Sequence, residues 1–174
     1  HARAEYIRKG TVWSDIENNM RRIRDELPSL DFYVSATADF FNMHSIVDFY
    51  NYLLKENFIS VQDFQVNILF GKPIYRATCH KARYRNEALH RINKLIEFLE
   101  KEDTLGRALN GFIQLKNFLE REDKSYMVPD TMKEIKEMDT FRKEDFFSVF
   151  PEYKGYRELY NEVDSTEEFQ KQDG

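Results

Sequence analysis

The stretch FYVSATADFFNMHSIVDFYNYLLKENFISVQDFQVNILF, residues 32–70, decides the fold. Its first seven residues, 32–38, are aromatic, β-branched and small, which is strand composition. Its last eight, 63–70, form a second strand of nearly continuous apolar character, which suits a strand covered on both faces. Between them, residues 45–57 place Ile46, Val47, Phe49, Tyr50, Leu53 and Leu54 on one side of a helix. Strand, helix, strand in this order is a βαβ unit, so the two strands are expected to run parallel.

Outward from this unit the pattern is helical. Residues 13–27 carry Ile16, Met20, Ile23 and Leu27 at helical spacing, Ser14 and Glu17 are spaced as a capping box, and Pro28 stops the helix. After Gly71 and Pro73 comes a loop over 72–81. Residues 83–102 then repeat Ala88, Ile92, Leu95, Ile96 and Leu99. Residues 104–121 repeat Leu105, Ala108, Leu109, Phe112, Ile113, Leu115, Phe118 and Leu119, with Thr104 as the expected cap. Shorter helical pieces are expected at 129–138 and 142–149. The polar end, 163–174, is expected to be disordered. The fold class expected is α/β and α-rich, with a small parallel sheet of about two strands and several long helices. Two strands are too few for an isolated parallel sheet, so the pattern is that of a piece of a larger α/β domain.

Composition excludes several functions. The 174 residues suffice for about one domain. Net charge is −5 with both signs interspersed, and no basic block favours nucleic acid or an anionic membrane. No apolar run approaches the ~20 residues that span a bilayer. One cysteine, Cys79, rules out an intrachain disulfide and any multi-cysteine metal site, and fits a reducing, cytoplasmic compartment. The chain opens with His1 in a charged run rather than with Met, which suggests a trimmed or truncated reading frame.

In βα folds ligands sit at the C-terminal ends of the strands. Ser35 and Thr37 share a face of the first strand there, and Asn67 interrupts the second. A polar ligand lying across them is one reading; satisfaction by neighbouring backbone is the other. Arg8 precedes Gly10 and a helix start, a combination suited to a carboxylate or phosphate, although the residues alone favour a solvated surface arginine. His1, His44, His80 and His90 have no metal-ligand spacing. Cys79 beside His80 would need a lowered thiol pKa to act as a nucleophile. Phe40, Phe41, Phe146 and Phe147 read as core or interface.

Four stretches carry a family resemblance: RAEYIRKGTVWSDIENNMRRI (3–23), FYVSATADFFNMHSIVDFYNYL (32–53), GFIQLKNFLEREDKSYMVP (111–129) and FRKEDFFSVFPEYK (141–154). Their order resembles the C-terminal half of twitch-domain-containing radical S-adenosylmethionine (radical SAM) proteins, a family frequent in marine and phage sequence. The likeness runs to about Leu159. It implies a partial (β/α) barrel over 1–101, a helical extension over 102–162, and an N-terminal half of the barrel as the missing partner. The family holds a 4Fe–4S cluster through Cys-x-x-x-Cys-x-x-Cys, which this chain lacks, so the chain alone is expected to be inactive. The parent would be a radical oxidoreductase or transferase-like enzyme acting on a peptide or small molecule. By the same resemblance Arg8 falls near the methionine carboxylate of S-adenosylmethionine, Ser35 faces the ribose with Thr37 on the same face, and Asn67 lies beside the adenine. Where the family shows Leu-Pro after the second strand's loop, this chain reads ATCHKARYR (77–85). A cut barrel also exposes a strand edge, through which a homodimer is expected. The reading from another class is a non-catalytic, α-rich protein-interaction module.

Overall fold

The computed structural model describes residues 2–162, and the order of its elements follows the sequence closely. The helices are α1 (Ala2–Ile7), α2 (Trp13–Glu26), α3 (Ile46–Lys55), α4 (Ala82–Glu102), α5 (Arg107–Arg121), α6 (Val128–Arg142) and α7 (Phe146–Val149). The strands are β1 (Val34–Ala38) and β2 (Phe64–Ile68). Residues 72–81, read as loop, hold two short 3-10 turns, Pro73–Tyr75 and Ala77–Cys79. The expectation of a disordered tail at 163–174 lies outside the described residues.

The chain is α-rich with a two-stranded parallel sheet. β1 and β2 pair from Val34↔Phe64 to Ala38↔Ile68, joined through α3. Alternation sorts their side chains. Ala38, Phe64 and Val66 are buried, and Val34 and Ala36 half-buried, on the inner face; Ser35 and Thr37 lie exposed on the other, with Gln65 and Asn67 beside them. The expectation that the second strand is covered on both faces is therefore corrected. Asn67 and the partly open Gln65 mark a face that no helix among the described residues covers.

The inner face is aromatic. Phe64 stacks on Phe112 of α5 with ring centres 5.9 Å apart, and meets Tyr50 of α3 edge-on at 5.1 Å. Tyr50 is buried, yet its hydroxyl donates to the Val61 carbonyl at 2.8 Å, so no polar group is stranded there. α5 also closes the outer edge of β2. Gly111 lies so near that a Cβ on it would sit 2.8 Å from the Val66 backbone nitrogen. Only a residue without a side chain allows helix and strand edge to approach this closely.

Two caps differ from the expected ones. Ser14 lies inside α2, whose N-cap is Val12. The Trp13 amide donates instead to Glu5 of α1 at 3.2 Å, and Glu17 accepts from the Trp13 indole at 2.6 Å and from the Tyr52 hydroxyl. α5 starts from Gly106 at φ 70°, not from Thr104. Asp103 caps it, accepting from the Gly106 amide at 3.0 Å and the Leu109 amide at 2.8 Å. Glu5 comes from the preceding helix, while Asp103 is local, one residue before the expected cap.

The C-terminal segments return to the N-terminus. Arg3 of α1 grips Glu152 through two bonds of 2.6 and 2.9 Å. Tyr6 packs on Phe41, Phe146 and Phe150, and its hydroxyl donates to Asp139 at 2.7 Å. Asp139 also accepts from the Tyr160 hydroxyl and the Phe146 amide, each at 2.7 Å. This buried carboxylate thereby ties α1, α6, α7 and the helical residues at 157–162. One buried apolar cluster runs from Tyr6 to Tyr160, continuous across residues 101 and 102.

Candidate functional site

The uncovered face of the sheet brings together three of the four candidate residues. The Asn67 Nδ2 donates to Ser35 Oγ at 2.6 Å, across the strands. Thr37 stands opposite Asn67 in register. Gln65, which the sequence reading passed over, donates from Nε2 to Asn67 Oδ1 at 3.3 Å. Its spacing of two from Asn67 was the available signal, since i and i+2 on a strand share a face. The partners of Asn67 are thus side chains on neighbouring strand positions rather than backbone. The three groups satisfy one another in part, and Ser35, Thr37 and Asn67 remain exposed.

Arg8 is not part of this face. It lies exposed in the turn after α1, with its amide donating to the Ala4 carbonyl, and no hydrogen bond, ion pair or ring contact joins its side chain to the sheet. Its neighbour Lys9 pairs with Glu144, beside a separate groove of about 480 Å³ that Glu5, Gly10 and Lys143 also line.

A cation beside the polar face is Arg107. A groove of about 500 Å³ runs beside β2, lined by Gln65, Asn67, Phe70, Arg107, Asn110 and Gln114. Residues 107, 110, 111 and 114 form one stripe of α5 at helical spacing. The Arg107 guanidinium lies over the Tyr33 ring at 4.3 Å and 3.4 Å from an Asp31 oxygen. Its Nη1 is buried without a hydrogen-bond partner among the described residues. Carboxamides, hydroxyls and one guanidinium, itself paired with Asp31, make this region a surface of hydrogen-bonding groups. Such groups suit ribose hydroxyls, amide edges or a carboxylate.

Asp39 follows β1 directly. Its Oδ1 accepts from the Phe41 and Asn42 amides at 2.9 and 3.0 Å, while Asn42 Oδ1 accepts from the Asp39 amide and Asn42 Nδ2 donates to the Thr37 carbonyl. Burial raises its carboxyl to about 6, against the pull of those two amides. It holds the turn at the C-terminal end of β1.

Cys79 and His80 serve the interior. Burial raises the Cys79 thiol to about 11, and its Sγ sits 3.1 Å from the Pro73 carbonyl. That is the reverse of what a thiol nucleophile needs. His80 is sandwiched between Phe40 and Tyr153, with ring centres 3.9 and 4.5 Å away. Its Nε2 donates to the Phe40 carbonyl at 2.7 Å. Nδ1 therefore accepts from the Tyr156 hydroxyl at 3.2 Å, and that hydroxyl accepts in turn from the Lys81 amide. Burial lowers the ring's pKa to about 3, so it is neutral.

Among the described residues no three His, Cys, Asp or Glu side chains converge as a metal site would require, and no helix is long and apolar enough to cross a membrane. No family model, curated protein or solved structure matches this chain.

Proposed function

We propose that this chain is a non-catalytic binding unit whose working surface is the uncovered polar face of its sheet, and that the ligand is S-adenosylmethionine held by a partial pocket. The observation that carries this reading is the Asn67–Ser35 bond of 2.6 Å beside Thr37, on a face without a covering element. In a (β/α) barrel the face away from the helices lines the lumen. A partial radical SAM barrel would present these residues there, with α5 closing the sheet at β2.

The residues fit part of the ligand. Ser35, Thr37, Gln65 and Asn67 suit the ribose and adenine edges. For the methionine carboxylate Arg107 lies closer to the face than Arg8 does, by its place in the groove beside Gln65 and Asn67. A 4Fe–4S cluster held by three cysteines does not fit this chain, which has a single one. This chain's share is to bind and orient.

Calorimetric titration of the chain with S-adenosylmethionine tests the reading, beside Asn67→Ala and Arg8→Ala variants. The expectation is weak binding that Asn67→Ala weakens by about fivefold, the worth of one hydrogen bond of about 1 kcal/mol. Arg8→Ala should leave it unchanged. No heat at millimolar ligand would overturn the S-adenosylmethionine assignment. A second reading, a protein-interaction module, is favoured by the apolar side chains that α2 leaves uncovered, Val12, Ile16 and Leu27.

A further inference from the structure

We propose that the groove between β2 and α5 holds an extended, uncharged peptide segment by its main chain. The inference goes beyond the S-adenosylmethionine reading, because its main support is a wall of α5 that the sheet face does not include.

Three contacts define the groove. At one end Arg107 lies over Tyr33, at the start of β1. In the middle Gly111 brings the helix against the Val66 backbone. At the other end Phe118 meets Phe70 edge-on at 5.3 Å. α5 therefore runs alongside β2 in the same direction, and the groove of about 500 Å³ follows both.

Its lining differs from the rest of the chain. Of nine lining residues four are carboxamides, Gln65 and Asn67 on β2 and Asn110 and Gln114 on α5, and one is charged, in a chain of which 33% is charged. That one cation, Arg107, is already paired with Asp31 at 3.4 Å. The groove thus selects neither an acid nor a base. It presents groups that donate and accept at once, as a peptide group does.

Spacing selects a chain over a compact ligand. Gln65 and Asn67 are two strand residues apart, about 6.6 Å. Asn110 and Gln114 are four helical residues apart, about 6 Å. In an extended peptide the N–H and C=O of one residue point to the same side, and the next pair on that side follows two residues on, after about 6.6 Å. Alternate residues therefore face opposite walls, and each wall meets two of them in succession. A single sugar or base would meet one carboxamide of each wall and leave the second pair unused.

Both walls keep hydrogen-bonding capacity. Asn110 and Gln114 are exposed, and their side chains make no hydrogen bond among the described residues. On β2, Gln65 Nε2 donates to Asn67 Oδ1 at 3.3 Å and Asn67 Nδ2 to Ser35 Oγ at 2.6 Å. Those bonds use one hydrogen of each amide and leave the Gln65 oxygen. Phe70, 59% exposed, gives an apolar side chain of the peptide a ring to pack on. Main-chain bonds would supply affinity and this end the preference.

Fluorescence anisotropy with the full chain tests this, using a labelled pool of random uncharged octapeptides, acetylated and amidated, each ending in leucine. The pool should bind saturably. Asn110→Ala and Gln114→Ala, both at exposed positions, should keep the wild-type far-UV circular dichroism and each weaken binding about fivefold, and the double variant about twenty-five-fold. Gln114→Glu, which keeps an acceptor and loses the donor, should weaken it as alanine does. Methylating every second peptide nitrogen should abolish binding. Absence of saturable binding, binding that survives the double variant, or equal binding of the methylated pool would each overturn the proposal, as would a groove that takes a short linear glucan and not the peptides. The double variant should leave S-adenosylmethionine binding unchanged, so that the two readings fail separately.

Discussion

His80 and Asp39 show how burial turns single side chains into pH sensors of opposite sign. The folded His80 ring resists protonation until about pH 3, whereas the unfolded ring takes its proton near 6.5. Its contribution to stability is therefore full above 6.5 and lost as pH falls toward 3. Asp39 runs the other way. The folded carboxyl keeps its proton up to about 6, against 3.8 when unfolded, so its contribution is full below 3.8 and lost as pH rises through 6. Between about 4 and 6 the two effects oppose each other. In an Asp39→Asn variant only His80 remains, and unfolding free energy should rise with pH more steeply than in the wild type, approaching about 1.4 kcal/mol per pH unit, the limit for one proton. Urea denaturation across that window measures it; equal slopes would sink the assignment.

The start of α5 depends on one side chain. Asp103 satisfies two amides of its first turn from a position that is 8% exposed, and Gly106 supplies the left-handed residue between. Replacing Asp103 with Ala should destabilise the protein by about 1–2 kcal/mol, the worth of a lost cap. That corresponds to a Tm lower by about 2–8 °C in a chain of this size. Thr104→Ala, at the position whose spacing suggests the cap, should change Tm little, since Thr104 reaches only Gln62, at 3.3 Å. The comparison separates a cap read from sequence from the one the fold uses. Because α5 closes β2 at Gly111, a weakened start to the helix also loosens the β2 side of the polar face.

At the scale of the molecule, the closure of the C-terminal segments onto α1 predicts one cooperative transition. Trp13 is the chain's single tryptophan and reports on the N-terminal half, where its indole bonds Glu17. Far-UV circular dichroism reports on all the helices. Because one core runs from Tyr6 to Tyr160, thermal melts followed by the two signals should coincide. Two resolved midpoints would favour a division into units at residues 101 and 102 instead.

Much of this architecture was legible in the sequence, because helix and strand periodicity are local. The βαβ order, the parallel pairing it implies, the buried faces of α3 and α4, the inward Phe40, Phe41, Phe146 and Phe147, and the grouping of Ser35 with Thr37 all follow from spacings of two or of three to four residues. What the sequence did not reveal depends on groups far apart in the chain. α1 is six residues long, too short to show a period, and stands because Tyr6 and Arg3 reach Asp139 and Glu152. The cap at Glu5, the openness of the face bearing Asn67, the distance of Arg8 from it and the nearness of Arg107 were decided only when the tertiary structure placed separate segments side by side, whereas the Asp103 cap is local and differs from the expected one by a single residue. Periodicity tells a residue which way to point along its own element. Whether anything lies in that direction is settled by packing.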